Sequence, residues 1–246
     1  MYQNFAAVYD NLMCDVDYEK RTDYLISLFK KYGKMPTLLL DVACGTGGFS
    51  NCFCERGVEV IGADISEEML SIAREKSYDK GNDILYLCQS AQELDLYGTV
   101  DGAICCLDSL NHITDYREFC KAIKRIALFL EEGSLFIFDL NTEYKHEQIL
   151  GDNVFVIEND EVYCVWANNF NKKDCSVDIA LDFFVNENDT YYRMSEDFSE
   201  RAYSENQVEA ALKKAGLEIV KIFDDMTTKP LKYNSERAVY VTRRVK

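Results

Sequence analysis

The sequence predicts an α/β domain built on a doubly wound, mostly parallel sheet, with an inserted antiparallel β cover. Between residues 36 and 140 short apolar runs alternate with helix-period segments, the pattern of strands buried on both faces. After Asn141 the rhythm changes to longer strand-like runs separated only by turns, and from Ser204 the helix-strand alternation resumes. With 246 residues, 48% hydrophobic and 13% aromatic, the chain is long and apolar enough to bury a sizeable core.

Thr37 to Val42 is the first strand, Gly47 to Arg56 is helical, and Glu59 to Asp64 is the second strand. Ser66 caps a helix to Ser77, with Glu67 and Glu68 in the first turn, where the helix dipole favours carboxylates. Ile84 to Cys88 and Gly102 to Leu107 are further strands. A helix from about Asp115 to Glu131 closes at Gly133, and Leu135 to Leu140 follows as a strand. The insertion reads as strands Val154 to Glu158, Val162 to Phe170, Ser176 to Asn186 and Tyr191 to Tyr203. Asn168-Asn169, Lys172 to Asp174 and Asn186 to Asp189 supply turn chemistry. Ser204 with Gln207 opens the last helix, Gly216 ends it, and Leu217 to Phe223 and Ala238 to Arg243 complete the sheet.

Composition removes several functions. The 43 acids and 27 bases give a formal charge of -16, which repels a phosphate backbone, and no Lys/Arg stripe interleaved with aromatics stands out. Lys121, Lys124 and Arg125 read as the solvated face of one helix, so no nucleic-acid partner is expected. The ten cysteines form no CxxC pair, which points to buried thiols of a reducing compartment and not to zinc or a disulfide framework. The two histidines, His112 and His146, have no metal-ligand spacing, and no metal is expected. No basic segment leads into an apolar leader, and no run reaches the roughly eighteen apolar residues of a membrane span, so a cytoplasmic protein without a membrane partner is expected.

The most informative stretch runs Leu38-Leu-Leu-Asp41-Val-Ala43-Cys-Gly45-Thr-Gly47-Gly-Phe49: a buried strand, a glycine turn and a helix start, where a ligand can approach backbone amides. Dinucleotide-binding folds use the same device, and Asp64, 19 residues after Gly45, nearly fits their spacing. Asp41 bears on the choice. A carboxylate facing that crevice opposes a pyrophosphate by a few kcal/mol at an effective dielectric of about 20, but welcomes the sulfonium and ammonium of S-adenosylmethionine (SAM). Asp64 then offers acceptors to the ribose diol. Alternatively, Asp41 caps loop amides and Asp64 only precedes the Ser66 cap.

Asp41-Val-Ala-Cys-Gly-Thr-Gly-Gly, Gly62-Ala-Asp64-Ile-Ser-Glu-Glu-Met69-Leu, Cys88-Gln-Ser-Ala-Gln-Glu-Leu94 and Asp101-Gly-Ala-Ile-Cys-Cys-Leu-Asp-Ser-Leu-Asn-His112 resemble the ordered motifs of Rossmann-like class I SAM-dependent methyltransferases. Phe5-Ala-Ala-Val-Tyr-Asp10, Phe138-Asp-Leu-Asn-Thr142 and Arg201-Ala-Tyr-Ser204 are similar to a small bacterial branch related to amino-sugar N-methyltransferases and glycine N-methyltransferase.

The resemblance implies an N-terminal helical lid over 1–35, a SAM-binding domain over 36–145 and 204–246, and a substrate-covering insertion over 146–203. It implies that Asp41, Ala43 and Gly45 border the methionine moiety, that Asp64 holds the ribose, and that Ile65 and Met69 pack on adenine. Ala91 and Gln92 meet the adenine edge, and Leu107 lies beside the sulfonium. Ser90 departs from the family, which often has an acid there. Tyr9, the other catalytic candidate, directs its hydroxyl or ring from the lid towards the sulfonium, and Tyr18 assists near the methionine end; alternatively Tyr2, Phe5 and Tyr9 form the apolar face of a surface helix. His112 follows the fourth strand, where an imidazole, the side chain that changes charge near neutral pH, can act as base or form a pocket wall.

The expected function is SAM-dependent methylation of a small-molecule acceptor, an amine ahead of an oxygen, leaving S-adenosylhomocysteine. The expected assembly is a monomer or homodimer. Four residues at strand ends, Asp108, Asn111, Asp139 and Asn141, either orient substrate or cap loops. Other readings are an RNA or protein methyltransferase, an NAD-dependent oxidoreductase, and a SAM-binding scaffold without chemistry.

Overall fold

A computed structural model describes residues 9–10, 13, 15–158, 162–187 and 190–245. In chain order the elements are α1 (Tyr18–Tyr32), β1 (Leu38–Val42), α2 (Gly48–Cys54), β2 (Glu59–Asp64), α3 (Glu67–Lys80), β3 (Leu85–Cys88), β4 (Val100–Cys105), α4 (Tyr116–Phe129), β5 (Leu130–Asn141), β6 (Val154–Glu158), β7 (Val162–Asn171), β8 (Ser176–Glu187), β9 (Thr190–Arg201), α5 (Glu205–Ala215), β10 (Leu217–Asp224) and β11 (Arg237–Arg244). A 3-10 turn over Ser109–His112 and a π turn over Lys145–Leu150 complete them.

Seven strands form one sheet in the order β10-β11-β5-β4-β1-β2-β3, in which only β11 runs antiparallel to its neighbours. The chain order reverses at β1, between β2 and β4, so a crevice opens at the carboxyl ends of β1 and β4. Alternate residues of each strand serve opposite layers. Leu40, Ala103, Phe136 and Phe138 pack with Phe119 and Ile123 of α4 and Leu212 of α5. Leu39, Ile104, Leu135 and Ile137 pack with Leu28 and Phe29 of α1 and Phe49 and Phe53 of α2.

The insertion is a four-stranded antiparallel meander, β6-β7-β8-β9. Cys164, Ile179, Leu181 and Phe183 form its own small core, and the pairs Trp166 with Leu181 and Ile179 with Phe198 share that face.

Local chemistry sets most boundaries. Ser66 Oγ accepts from the Met69 amide, Ser204 and Gln207 form a capping box, and left-handed Gly81 and Gly216 end their helices. Three expectations are corrected. Helix α4 ends at Phe129, because buried Leu130 already pairs with Val100; the strand then bends through Gly133 at φ 82°. Strand β4 stops at Cys105, because Leu107 and Asp108 take left-handed conformations. Asn168-Asn169 is no turn: both lie within β7, Asn168 accepts from Trp166 Nε1 at 2.7 Å, and the chain reverses after Asn171. No helix of the described residues is long and apolar enough to cross a membrane.

A candidate active site where the strand order reverses

The turn after β1 passes through Ala43 at φ 55°, Gly45 at φ 54° and Gly47 at φ 75°. The left-handed region costs a residue with a Cβ about 1–2 kcal/mol, so Ala43 is held there by its surroundings. Gly47 is required on two grounds, because an added Cβ would also stand 2.5 Å from the Tyr86 hydroxyl.

Asp64 closes the turn from β2. Its Oδ2 accepts from the Gly45 amide (2.8 Å) and its Oδ1 from the Ser66 amide (2.9 Å). Burial raises its pKa and the amides oppose that. Asp64 also lines the crevice.

Asp41 corrects an expectation. Strand alternation turns it away from the crevice and towards α2, where it is 2% exposed and accepts from Ser50 Oγ at 2.6 Å. Burial pushes its carboxyl up to about 7, against the Ser50 hydrogen bond, so near neutral pH much of its charge is gone. The charge that the sequence sets against a pyrophosphate therefore lies beneath the loop.

The crevice holds a cavity of about 510 Å³. Ala43, Gly45, Asp64, Ile65, Met69, Ala91, Gln92, Leu107, His112 and Tyr9 all line it; Asp41 and Tyr18 do not. Ile65 stands at its rim, 65% exposed. Tyr18 lies one layer back, edge-on to Phe49 at 5.1 Å between centroids and hydrogen-bonded through its hydroxyl to Tyr9. Burial raises both phenols, that of Tyr18 to about 12. Asp10 ties the same segment to the glycine loop by accepting from Thr46 Oγ1 (2.8 Å) and pairing with Lys76. Tyr2 and Phe5, expected beside Tyr9, lie outside the described residues.

Across the cavity, the amides of Leu107 and Asp108 donate to the two Asp139 oxygens at 2.9 and 2.7 Å, which explains their left-handed turn. Arg237 joins Asp139 to Asp108. Burial works to raise the Asp108 carboxyl, but Arg237, Lys145 and His112 outweigh it and hold it well below the carboxylate range. Asn111 accepts from the Asn141 amide and donates to the Arg201 carbonyl. Asp139 and Asn111 thus brace loop backbone, whereas the Asp108 and Asn141 side chains bond to other side chains, and Asp108 also reaches the cavity wall.

The 3-10 turn then delivers His112. Its ring lies 5.0 Å from that of Phe198, and its Nε2 is 3.7 Å from Glu200 Oε1. Glu200 Oε2 is 3.5 Å from His146 Nε2 and accepts from Asn141 Nδ2 at 3.1 Å. Both histidines of the chain therefore converge on one buried carboxylate. His112 and Phe198 also line a second, open concavity of about 590 Å³, with Asn168, Asp178 and Asp197.

Sequence reasoning missed Glu200, Arg237, Lys145 and the pairing of His146. Glu200 carried one readable signal: it shares the parity of Phe198 on β9, so a charge alternates into the buried face. No group of three or more possible metal ligands occurs among the described residues. Burial raises the Cys105 and Cys106 thiols well above their usual range, away from thiolate chemistry.

Comparison with known proteins places this geometry. Residues 39–133 match a methyltransferase domain family. The chain is 30% identical over 247 residues to YqeM of Bacillus subtilis (strain 168), a protein named as a methyltransferase, covering 100% of this chain and 98% of that one. The chain belongs to the SAM-dependent methyltransferases. Within that family it superposes on the crystal structure of a SAM-dependent methyltransferase from Clostridium acetobutylicum ATCC 824 with a TM-score of 0.91 and 36% identity, covering 100% and 99% of the two chains. The sugar N-methyltransferase KedS8 from Streptoalloteichus sp. ATCC 53650 shares the fold, with a TM-score of 0.79, 19% identity and coverage of 97% and 93%.

Proposed function

We propose that this methyltransferase acts on an amine of a small-molecule acceptor, with His112 as the base. The observation that carries the reading is the placement of His112: it lines the same cavity as the glycine turn and Asp64, and is backed by a buried carboxylate.

The residues present fit SAM. Asp64 lines the cavity with a carboxylate that can accept from a ribose hydroxyl, and Ile65 and Met69 offer apolar surface to adenine beside Ala91 and Gln92. Ala43, Gly45 and Leu107 border the methionine end, and no Lys or Arg occurs between Asp41 and Ser50 to repel a cation. Ser90, also on the wall, is a weaker partner for the adenine amino group than the acid common in the family. The amino-terminal segment carrying Tyr9 and Tyr18 serves as the lid, in which Tyr18 holds Tyr9 against the cofactor.

When bound, SAM would supply an electrophilic methyl group to the acceptor nitrogen, its sulfonium sulfur keeping the electrons of the C–S bond. Everything else falls to the chain: aligning the nucleophile, excluding water and accepting the N–H proton on His112. Trp166 and Phe198 on the insertion's inner face give the acceptor an apolar wall. The shared fold with a sugar N-methyltransferase supports an amine acceptor.

With methyl-labelled SAM and matched panels of amines and phenols, label is expected on amines. His112→Ala is expected to lower kcat by about 10²–10⁴-fold, with calorimetric SAM affinity unchanged within about twofold. Equal loss of turnover and affinity, or no loss, overturns the assignment.

A further inference from the structure

Glu200 is 6% exposed and sits on β9 with the apolar side chains of the meander, where an ionised carboxylate needs partners. Its partners are two imidazoles and one amide: His112 Nε2, His146 Nε2 and Asn141 Nδ2. The opposite nitrogen of His146 settles that ring's orientation. His146 Nδ1 lies 3.2 Å from the Cys175 carbonyl, which can only accept, so Nδ1 carries a proton. His146 Nε2 is buried without a hydrogen bond and faces Glu200 Oε2 at 3.5 Å. The ring thus backs the Glu200 oxygen that does not face His112.

Several features hold this ring. Thr142 Oγ1 accepts from the Lys145 amide, and the Gly151 amide donates to the His146 carbonyl five residues back, forming the π turn. Cys175 sits at φ 58°, and its carbonyl also accepts from the Ala202 amide.

We infer that Glu200, anchored from behind by His146, is the positioning residue of the transfer: it holds His112 as the Nε2–H tautomer, so that Nδ1 is the nitrogen that receives the acceptor's proton. The role is that of the carboxylate in a catalytic triad, which orients an imidazole and fixes its tautomer. The separation of 3.7 Å is long for a hydrogen bond, as expected before substrate tightens the site. Asp108 and Asp64 also act electrostatically on His112, and Lys145 and Arg237 on Asp108, but Glu200 is the carboxylate placed at Nε2. The inference rests on His112 being the base, and its test separates the two.

The chain has only two histidines, so ¹⁵N-detected imidazole spectra of the full-length protein resolve each ring. Neutral His112 is expected as the Nε2–H tautomer, while His146 carries its proton on Nδ1. Glu200→Gln is expected to leave His112 a mixture of tautomers and to lower kcat about 10- to 100-fold, with SAM affinity unchanged within about twofold. Glu200→Asp should recover part of that loss, and Glu200→Gln should cost nothing further in a His112→Ala background. A His112 ring found mainly as Nδ1–H, or a tautomer indifferent to Glu200→Gln, overturns the inference. If Glu200→Gln does not fold, the wild-type spectrum still decides. If His112→Ala retains full turnover while the tautomer follows Glu200, the base assignment fails and the pairing stands.

Discussion

Asp41 sits near the end of β1, just before the glycine turn, and its carboxyl faces Ser50 in the layer beneath. Its pKa of about 7 in the fold, against an ordinary value of 3.8, means that the native state holds a proton the unfolded chain releases between those two pH values. The resulting stabilisation is complete below about pH 4 and is lost as pH rises through about 7. Above that, the ionised buried carboxyl is a liability. Asp41→Asn keeps an acceptor for Ser50 and removes the titration. It is expected to match the wild type in urea unfolding near pH 4 and to exceed it at pH 8, by at most about 4 kcal/mol. An offset that is the same at both pH values shows that the charge of Asp41 is not what the site resists.

Among the elements, the contact of α1 with α2 joins the amino-terminal segment to the helix that follows the glycine loop. Tyr18 lies so close to Gly48 that a Cβ there would stand 2.4 Å from its ring, and the same tyrosine holds Tyr9 by its hydroxyl. Gly48→Ala is expected to cost about 1–3 kcal/mol of stability through overpacking, and by displacing Tyr18 to weaken calorimetric SAM binding roughly tenfold. Tyr18→Phe keeps the packing and removes only the hydroxyl, so it should weaken binding less. Unchanged binding in Gly48→Ala reduces Tyr18 to a packing residue.

The legibility of elements has the same local character. Strands β2 and β6 begin and end where the apolar runs do, and Ser66, Ser204, Gly81 and Gly216 mark helix ends because caps are local chemistry. The direction of Asp41 was available from strand alternation, since Leu40 and Val42 had to serve the opposite layer. The π turn and the pairing of Glu200 with both histidines were not available. They depend on contacts between residues 112, 146 and 200, set by the register of the whole meander against the 3-10 turn.

For the whole molecule, the charge of -16 acts on whatever enters the cavity. The wall carries Asp64, Asp108 and Glu200 against Arg21, Arg237 and Lys145, but Arg21 is taken by Asp225 and Arg237 by Asp108 and Asp139. With the wall's own acids and bases near balance, the net charge of the body sets the field at the mouth, and a cationic acceptor is expected to arrive faster than a neutral one. Such steering is screened: the Debye length falls from about 30 Å at 0.01 M salt to about 10 Å at 0.1 M. At saturating SAM, kcat/KM for an ammonium acceptor is expected to fall roughly three- to tenfold between 0.01 and 0.5 M potassium chloride, with kcat unchanged and a neutral acceptor little affected. An equal fall for neutral or anionic acceptors assigns the salt effect to the fold and removes the charge as a source of acceptor preference.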